Sequence, residues 1–238
     1  MNLCNNSSSG LLMGPNRTFQ ALVGPAAWNG VLKGTERRKL PAGRKLVRQG
    51  DVGAFVIVVI SGVVRVDQIG GGAGAGKRLL AFRRGGDLIG DLAVLGFGVR
   101  TATVTAYTDC EVAIVPGETF RSPGFQRDYG LAISSYIAGR HWEAQMLAQP
   151  GDNRARVAWV LVPLLDHEEG RTRSVANDVQ LSVVQRDLAS CLGIGAKQVR
   201  QVVSVTPFGG TLAGRRGRLV VEDPEGLRAA AARLGGLP

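Results

Sequence analysis

The sequence has few of the residues that build disulfide frameworks and metal centres. Its three cysteines, Cys4, Cys110 and Cys191, are far apart and form no CxxC pair. An odd, scattered set of this kind indicates free thiols, and a reducing cytoplasm is the simplest setting for them. Only two histidines are present, and no group of ligand residues has the spacing that is typical of a metal site.

Long apolar runs are also missing. The longest, Ala54 to Ile60, is far too short to span a bilayer. Residues 1–14 are rich in Asn and Ser and lack the basic start and apolar segment of a secretory signal. We therefore expect no membrane segment and a cytoplasmic location, and we predict that residues 1–17 form a disordered tail.

Acidic residues are outnumbered by basic ones, 19 against 29, which gives a net charge of +10. Such a chain suits a polyanionic partner, either nucleic acid or an acidic membrane surface, although much of the charge can simply be solvated arginine. One window is more informative, because six basic side chains and a single acidic one, Asp187, lie between Arg186 and Arg218. Acidic residues flank this window on both sides, a distribution that favours a surface facing nucleic acid.

Short β-branched segments separated by Gly and Pro turns occupy the chain from Lys39 to Pro116. The predicted strands are Lys45–Val47, Phe55–Ile60, Val63–Asp67, Arg78–Phe82, Thr101–Tyr107 and Glu111–Val115. Many short strands at close spacing predict an antiparallel barrel or roll. With a helix over Thr18–Leu32 in front of it, this domain is predicted to cover residues 18–124.

After the predicted strands, the apolar pattern becomes helical. From Phe125 to Ala148 apolar residues recur at i, i+4 and i+7. A helix of this length, roughly 36 Å at 1.5 Å per residue, has surface left over for a partner, so residues 125–149 are predicted to be a dimerisation helix. Asp152 is the predicted N-cap of a second helix over Asn153–His167, in which Pro163 predicts a kink.

Residues 181–206 have the pattern in this sequence that is most specific for one structural motif, two short helices joined by a turn. Leu181 and Ser182 are predicted to cap a first helix, Gly193 supplies a turn, and a second helix starts near Gly195. Ile194, Val199 and Val202 are predicted to face inward, which leaves five residues outward: Ala196, Lys197, Gln198, Arg200 and Gln201. In a helix-turn-helix these positions meet base edges in the major groove.

A hairpin wing is predicted over Thr211–Val221, with Arg215, Arg216 and Arg218 as phosphate-binding residues. The alternative is an ordinary helical hairpin with a solvated polar face. Turn spacing, the basic window and the wing together favour double-stranded DNA as the partner. Residues 150–238 are therefore predicted to be a winged helix-turn-helix domain.

The order of motifs resembles the Crp–Fnr family over roughly residues 35 to 230. The first part of a cyclic-nucleotide-binding β-roll is similar to Pro41–Gly43, Arg48–Asp51, Phe55–Val58 and Ser61–Val66, and its phosphate-binding cassette is similar to Gly86–Ala93 followed by Arg100–Thr103. The resemblance implies an α+β protein: an antiparallel, jelly-roll-like β-roll, a long dimerisation helix and a winged helix-turn-helix. It also implies an effector-controlled homodimer that binds near-palindromic DNA, with RNA polymerase as a further candidate partner.

The same resemblance places a cyclic-nucleotide site at Gly90, Asp91, Leu92, Arg100 and Thr101. Gly90 would allow close backbone approach, Asp91 would bind the ribose 2′-hydroxyl, and Arg100 and Thr101 would bind the cyclic phosphate. Backbone N–H groups around Leu92 would start a short helix that points at the same anion. Cyclic AMP and cyclic GMP are both candidate effectors.

Two departures from the family pattern keep an alternative open. Asp91 stands where the family has glutamate, and Trp142, Glu143 and Ala144 lie where cyclic-AMP-responsive members carry a Thr-Ser pair that contacts the base. In the alternative, Asp91 and Arg100 form a structural ion pair in a roll that binds nothing, or a different ligand.

Two other function classes fit the sequence less well. Gly71–Lys77 matches most of a phosphate-binding loop, but Arg78 replaces its Mg²⁺-binding hydroxyl residue and a strand pattern follows, so a nucleotide enzyme is disfavoured. A nucleotide-sensing subunit that acts through protein partners is disfavoured by the basic window. An iron–sulfur cluster, which other members of the family use, is not expected with Cys4 alone near the N-terminus.

Overall fold

The computed structural model describes residues 17–70, 76–171, 179–181, 183, 185–204, 219–221 and 223–235. Antiparallel sheets form the first part of the chain, and helices with one small sheet form the second. The predicted α+β class is therefore confirmed.

The β-roll consists of two four-stranded antiparallel sheets, with strand orders β1-β8-β3-β6 and β2-β7-β4-β5. Its strands are β1 (Glu36–Leu40), β2 (Lys45–Val47), β3 (Phe55–Ser61), β4 (Val63–Ile69), β5 (Lys77–Arg84), β6 (Leu88–Ile89), β7 (Thr103–Ala106) and β8 (Cys110–Pro116). A short π-helix, Ala93–Phe97, starts directly after Leu92, where the sequence predicted a helical turn.

Strand β3 is buried on both faces, which explains its unbroken apolar sequence. Ile57 and Val59 point into the roll, whereas Val56 and Val58 belong to a second core that includes the helices packed outside the sheet. A strand covered on two sides needs apolar residues at successive positions, so the usual alternation is lost.

The prediction missed two strands and misplaced the start of a third. Strand β1 pairs with β8 at a sheet edge, and its mostly exposed sequence, ERRKL, has no apolar alternation to reveal it. Strand β6 has only two residues. Strand β7 begins at Thr103, so Thr101 and Ala102 lie before it and not within it.

Two helices pack against the first sheet. Helix α1 (Phe19–Leu32) starts at its N-cap Thr18, whose hydroxyl accepts from the N–H of Ala21 at 3.2 Å, and it is kinked where Gly24 adopts a φ of 78°. After the short α2 (Gly117–Arg121), helix α3 (Pro123–Ala148) runs for 26 residues, as the sequence predicted to within two residues.

The C-terminal part begins with helix α4 (Asn153–Arg171), whose first N–H groups are capped by Asp152, with 2.8 Å between its Oδ1 and the nitrogen of Arg154. The helix continues past Pro163 and ends four residues later than predicted. A two-stranded sheet and three helices complete the described part: β9 (Val179–Leu181), α5 (Gln185–Leu192), α6 (Ala196–Val203), β10 (Leu219–Val221) and α7 (Pro224–Gly235).

Helices α5 and α6 have the predicted helix-turn-helix arrangement, with Gly193 at a φ of 64° in the turn. Val199 and Val203 are the buried residues of α6, and Ile194 and Val202 are only half-buried. Leu181 was predicted to cap α5, but it lies in β9 and pairs with Leu219, which shows that the wing strand folds back on this segment. Ser182, residues 205–218 and the predicted wing tip lie outside the described residues.

Candidate ligand pocket and candidate DNA-binding helix

A cavity of about 490 Å³ lies between the roll and helix α3. This volume is within the range of small-molecule sites. All five residues that the resemblance assigned to a cyclic nucleotide line it: Gly90, Asp91, Leu92, Arg100 and Thr101. Residues from strand β5 and helix α3 complete the wall, including Arg83, Arg140, His141 and Glu143.

Arg100 brings a positive charge to the edge of this cavity without a carboxylate partner among the described residues. Its side chain is only 3% exposed, and it donates to the carbonyl oxygens of Gly90 at 3.0 Å and Phe55 at 2.7 Å. The guanidinium also lies over the Phe55 ring, 4.7 Å from its centroid. Burial lowers the pKa of Arg100, because the charged form has lost solvent.

Gly90 is required by this arrangement for two reasons. Its φ of 82° is a left-handed conformation that residues with a side chain rarely adopt. A Cβ atom at this position would lie 1.8 Å from Nη1 of Arg100, well inside contact distance. The absence of a side chain at Gly90 therefore leaves the space that the Arg100 guanidinium occupies.

The partner of Asp91 is Arg140 on helix α3, with 2.6 Å between Oδ2 and Nη2. The alternative of an Asp91–Arg100 ion pair is therefore wrong in its partner, although Asp91 is 1% exposed and does form an ion pair. Arg140 also donates to the Leu88 carbonyl at 3.3 Å and lies over the Tyr136 ring. Its Nε is buried and has no hydrogen-bond partner in the described part of the chain.

A second contact ties α3 to the cassette. The Tyr136 hydroxyl accepts from the N–H of Leu88 and donates to Asp87, both at 3.1 Å. Burial raises the pKa of the Asp87 carboxyl, against the opposing effect of Arg83 and other donors. Helix α3 and strand β6 are thus joined at two points, through Tyr136 and Arg140.

Arg83 and Glu143 form a bidentate ion pair on the same cavity wall, with nitrogen–oxygen distances of 3.1 and 2.8 Å. The sequence pattern marked Glu143 only as a departure from the family, and it gave no indication that Arg83 would lie at the site. A signal for Glu143 existed, since it follows Tyr136 by seven residues and therefore lies on the buried face of α3. Nothing local to Arg83 distinguishes it from its neighbour Arg84.

Strand β5 contacts the helix-turn-helix unit as well as the cavity. The N–H of Leu79 donates to the Ser190 hydroxyl at 3.1 Å, and the Cys191 thiol donates to the Leu80 carbonyl at 3.4 Å. Leu80 and Arg83 also line the cavity, so one strand borders the cavity and contacts helix α5. Cys191 is buried in this contact.

The five outward residues predicted on the second helix of the motif are all exposed on α6: Ala196, Lys197, Gln198, Arg200 and Gln201. Gln198 has an additional contact, because its Oε1 accepts from the N–H of Gly195 at 3.0 Å and caps the helix. The predicted phosphate-binding residues Arg215, Arg216 and Arg218 lie outside the described residues.

The glycine-rich segment before Lys77 does not have the surroundings of a phosphate-binding loop. Lys77 begins strand β5 and its Nζ lies 3.1 Å from Asp67, so the helix that a phosphate-binding loop requires does not follow it. Within the described ranges there is no cluster of three or more potential metal ligands. No helix among the described residues is long and apolar enough to cross a membrane.

Comparison with known proteins agrees with this geometry. Residues 37–122 match the family model of the cyclic nucleotide-binding domain. The cyclic AMP receptor protein of Thermus thermophilus is 32% identical over 138 residues, which are 58% of this chain and 57% of that protein. A cGMP-dependent protein kinase of Drosophila melanogaster is 33% identical over 84 residues, 35% of this chain and 7% of the kinase. The chain thus spans little more than half of the first relative's length.

Solved structures show the same fold across most of the chain. A Crp/Fnr-family transcriptional regulator from Thermus thermophilus superposes with a TM-score of 0.64 at 22% identity, covering 83% of this chain and 98% of that one. The c-di-GMP-responsive regulator CLP from Xanthomonas campestris gives 0.59 at 22% identity, covering 82% and 98%.

The fold and the cassette define the class: a protein with a cyclic nucleotide-binding domain joined by a long helix to a helix-turn-helix unit. This combination is similar to that of Crp–Fnr regulators, and the resemblance predicted from the sequence is confirmed.

Proposed function

We propose that this protein is a cytoplasmic transcription regulator whose affinity for DNA is controlled by a cyclic nucleotide, cyclic AMP or cyclic GMP, bound between the roll and α3. The observation that carries the proposal is the position of Arg100, a buried cation without a carboxylate partner among the described residues, on the wall of a cavity of about 490 Å³. Residues 18–124 would sense the ligand, 125–149 would form the dimer, and 150–238 would bind DNA.

The cavity offers complementary groups for each part of the ligand. Arg100 can exchange its two carbonyl acceptors for the cyclic phosphate, which gives a stronger, charge-assisted pair of hydrogen bonds. Thr101 adds a hydroxyl beside it, and Asp91 offers a carboxylate oxygen to the ribose. The Nε of Arg140, which has no hydrogen-bond partner among the described residues, would gain an acceptor from a ligand or from ordered water.

Calorimetric titration of cyclic AMP and cyclic GMP into the purified protein tests the sensor. Micromolar binding that is lost in Arg100→Ala is expected. Arg127→Ala is the matched control, because Arg127 is an exposed arginine of α3 whose ion-pair partner among the described residues is Asp128. No heat with either nucleotide, or equal loss in both variants, would refute this part of the proposal.

Helix α3 presents a surface for dimerisation. Leu131 is 85% exposed in the middle of the helix, and the exposed Ser134, Ser135 and Ala138 continue the same face. Two copies paired along this face would place two α6 helices about 34 Å apart, in successive major grooves of a near-palindromic site. RNA polymerase is a further candidate partner at such a site.

Analytical ultracentrifugation and DNA retention test this arrangement together. We expect wild type to sediment as a dimer and Leu131→Asp to sediment as a monomer that retains nucleotide binding but loses tight DNA binding. A monomeric wild type that still binds a palindromic site tightly would contradict the dimer model.

A further inference from the structure

A second groove, with a volume of about 600 Å³, lies beside the π-helix. It is formed by the turn before β3, by the π-helix and by helix α2, and we call it the α2 groove. Its lining includes Val52, Ala54, Leu95, Gly96, Pro116 and Arg121. Ala93 lines both this groove and the cavity between the roll and α3, so the π-helix borders both. The proposed function gives the α2 groove no role.

Exposed apolar side chains gather at the α2 groove. Six large apolar side chains are exposed among the described residues, and four of them lie in or beside this groove: Val52, Leu95, Phe97 and Val99. Val52 is 77% exposed and is the bridge partner of Val99, so these two residues are neighbours. Apolar surface gathered around a groove in this way marks a binding site for an apolar group.

The α2 groove has free space beside Gly96. A Cβ atom at Gly96 would have no other atom within 4 Å, whereas a Cβ atom at Gly53 would lie 2.4 Å from the Cβ of Ala93. The wall is therefore closely packed at Gly53, and the free space is at Gly96. An alkyl chain suits such a space, because it gains van der Waals contacts and needs no hydrogen-bond partner.

One basic side chain, that of Arg121, lines the groove. Its Nη1 donates to the Val94 carbonyl at 3.1 Å, and it forms no ion pair with any residue that the structure describes. A guanidinium has five N–H groups, so most of its donors are still available after this one bond. Arg121 can therefore bind a carboxylate, which a guanidinium holds through two parallel hydrogen bonds.

The nearby Glu118 limits the charge that a ligand can carry. Glu118 is exposed and also lines the groove. Its carboxylate repels a phosphate dianion about twice as strongly as a monocarboxylate, because the Coulomb energy is proportional to the charge of the ligand. One cation in an apolar groove, with an acid close by, thus favours a singly charged acid that has an alkyl chain.

We propose that the α2 groove binds a medium-chain alkyl carboxylate, with the carboxylate on Arg121 and the chain against Val52 and Leu95. The ligand would contact the π-helix on the side that faces the groove. It needs no nucleotide in the cavity between the roll and α3, so a failure of the proposed function would leave this site intact.

Calorimetric titration of the full chain with sodium decanoate, sodium octanoate and octanol tests the ligand class. We expect decanoate to bind with a dissociation constant in the micromolar range. Octanoate should bind about 3- to 15-fold more weakly, because its chain has two fewer methylene groups to remove from water. Octanol should bind at least about 10-fold more weakly than octanoate, because it offers Arg121 no anion. Absence of decanoate binding, or equal affinities of the three compounds, would overturn the proposal.

Arg121→Gln tests the position of the carboxylate, and Arg127→Gln, on the exposed Arg127 of α3, is the matched control. Decanoate affinity should fall about 10- to 100-fold in Arg121→Gln and stay unchanged in the control. Glu118→Gln should raise it about 2- to 5-fold, because a repelling charge is removed. Loss of binding in Arg100→Ala but not in Arg121→Gln would place the ligand in the cavity between the roll and α3, and would overturn the proposal.

Gly96→Leu tests the groove without changing a charge. Gly96 does not have a left-handed φ, and the added side chain enters free space. Circular dichroism should therefore show an almost unchanged thermal midpoint, while calorimetry shows that decanoate binding is lost. A folded Gly96→Leu protein that binds decanoate like wild type would show that the chain does not lie in this groove.

Two other occupants of the exposed apolar side chains would give different results. If a second copy of the chain covered Val52, Val52→Asp would lower the sedimentation coefficient of the protein alone. If a membrane covered it, wild type would bind vesicles of phosphatidylcholine and phosphatidylglycerol but would not bind decanoate. Either result would overturn the assignment of this groove to an alkyl carboxylate.

Discussion

Arg65 of strand β4 and Asp187 of helix α5 form an ion pair, with 2.6 Å between Nη1 and Oδ2, that joins the roll to the helix-turn-helix unit. Arg65 also holds Asp67 at 2.8 Å, and Lys77 approaches the same carboxylate at 3.1 Å. Both carboxylates are almost completely buried, so water screens the cluster little. Helix α5, the first helix of the helix-turn-helix unit, is thus fixed to the roll by an ion pair within one chain.

Removing this arginine should weaken the junction. In Arg65→Ala two buried carboxylates lose a partner, and we expect the free energy of unfolding to fall by about 2–3 kcal/mol, below the full value for a buried pair because Arg65 is partly exposed. Urea titration followed by circular dichroism measures the change. The control Arg38→Ala removes an exposed pair with Glu36 and should leave the urea midpoint almost unchanged. Similar midpoints for the two variants would contradict the assigned role of Arg65.

The Cys191 thiol reports whether α5 is docked on β5. Burial raises its pKa to about 12, so at about pH 8 the thiol is protonated as well as shielded, and labelling by a disulfide reagent should be very slow. Labelling should accelerate in Arg65→Ala and in urea, as measured by peptide mass spectrometry. Fast labelling of Cys191 in native wild type would contradict the docked arrangement.

The same shift has a consequence for stability at high pH. Because the pKa is raised in the folded state, the unfolded thiol ionises first, and this contribution to stability is present below about pH 9 and lost as pH rises towards 12. Cys191→Ala should flatten the pH dependence of the free energy of unfolding in that window only, as measured by urea titration at a series of pH values.

Gly90→Ala separates a steric effect from a conformational one. The φ of 82° alone should reduce stability by about 1 kcal/mol, and the displaced Arg100 should in addition abolish nucleotide binding. Gly43→Ala is a matched control, because Gly43 has a φ of 85° but no atom within 4 Å of the place that a Cβ would take. If both variants bind nucleotide like wild type, the cassette does not form the site.

Arg200→Ala tests the placement of the recognition helix. Arg200 is exposed on α6, so its loss should spare the fold and reduce affinity for the specific site by about 1–3 kcal/mol, with relaxed preference at one base pair. Competition binding against single-base variants of the site measures both effects. Arg233→Ala, on an exposed residue of α7, serves as control. An unchanged site preference in Arg200→Ala would refute the placement.

Sequence patterns predicted most elements whose signal is local. Strands β2, β3, β4, β5, β7 and β8, the long α3 and the α5–α6 turn at Gly193 all follow from periodicity and turn residues. Strand β1 was not predicted, because it is an exposed, charged edge strand and such a strand needs no apolar face. Family resemblance brought Gly90, Asp91 and Arg100 together, and all three line one cavity.

Pairings between distant residues could not be predicted in the same way. Arg140 lies 49 residues after Asp91, and Glu143 lies 60 after Arg83, so no local spacing records either contact. Each pair forms only because α3 packs across the mouth of the roll. The fold had to be known before the arginine that neutralises Asp91 could be identified.

Strand β5 carries an evolutionary constraint. Its backbone holds Ser190 and Cys191 of α5 while its side chains Leu80 and Arg83 border the pocket. In the proposed function, a substitution on β5 that adapts the pocket to another effector would also touch the strand that holds the helix-turn-helix. On that proposal we expect relatives with a different effector to carry paired replacements on β5 and α5.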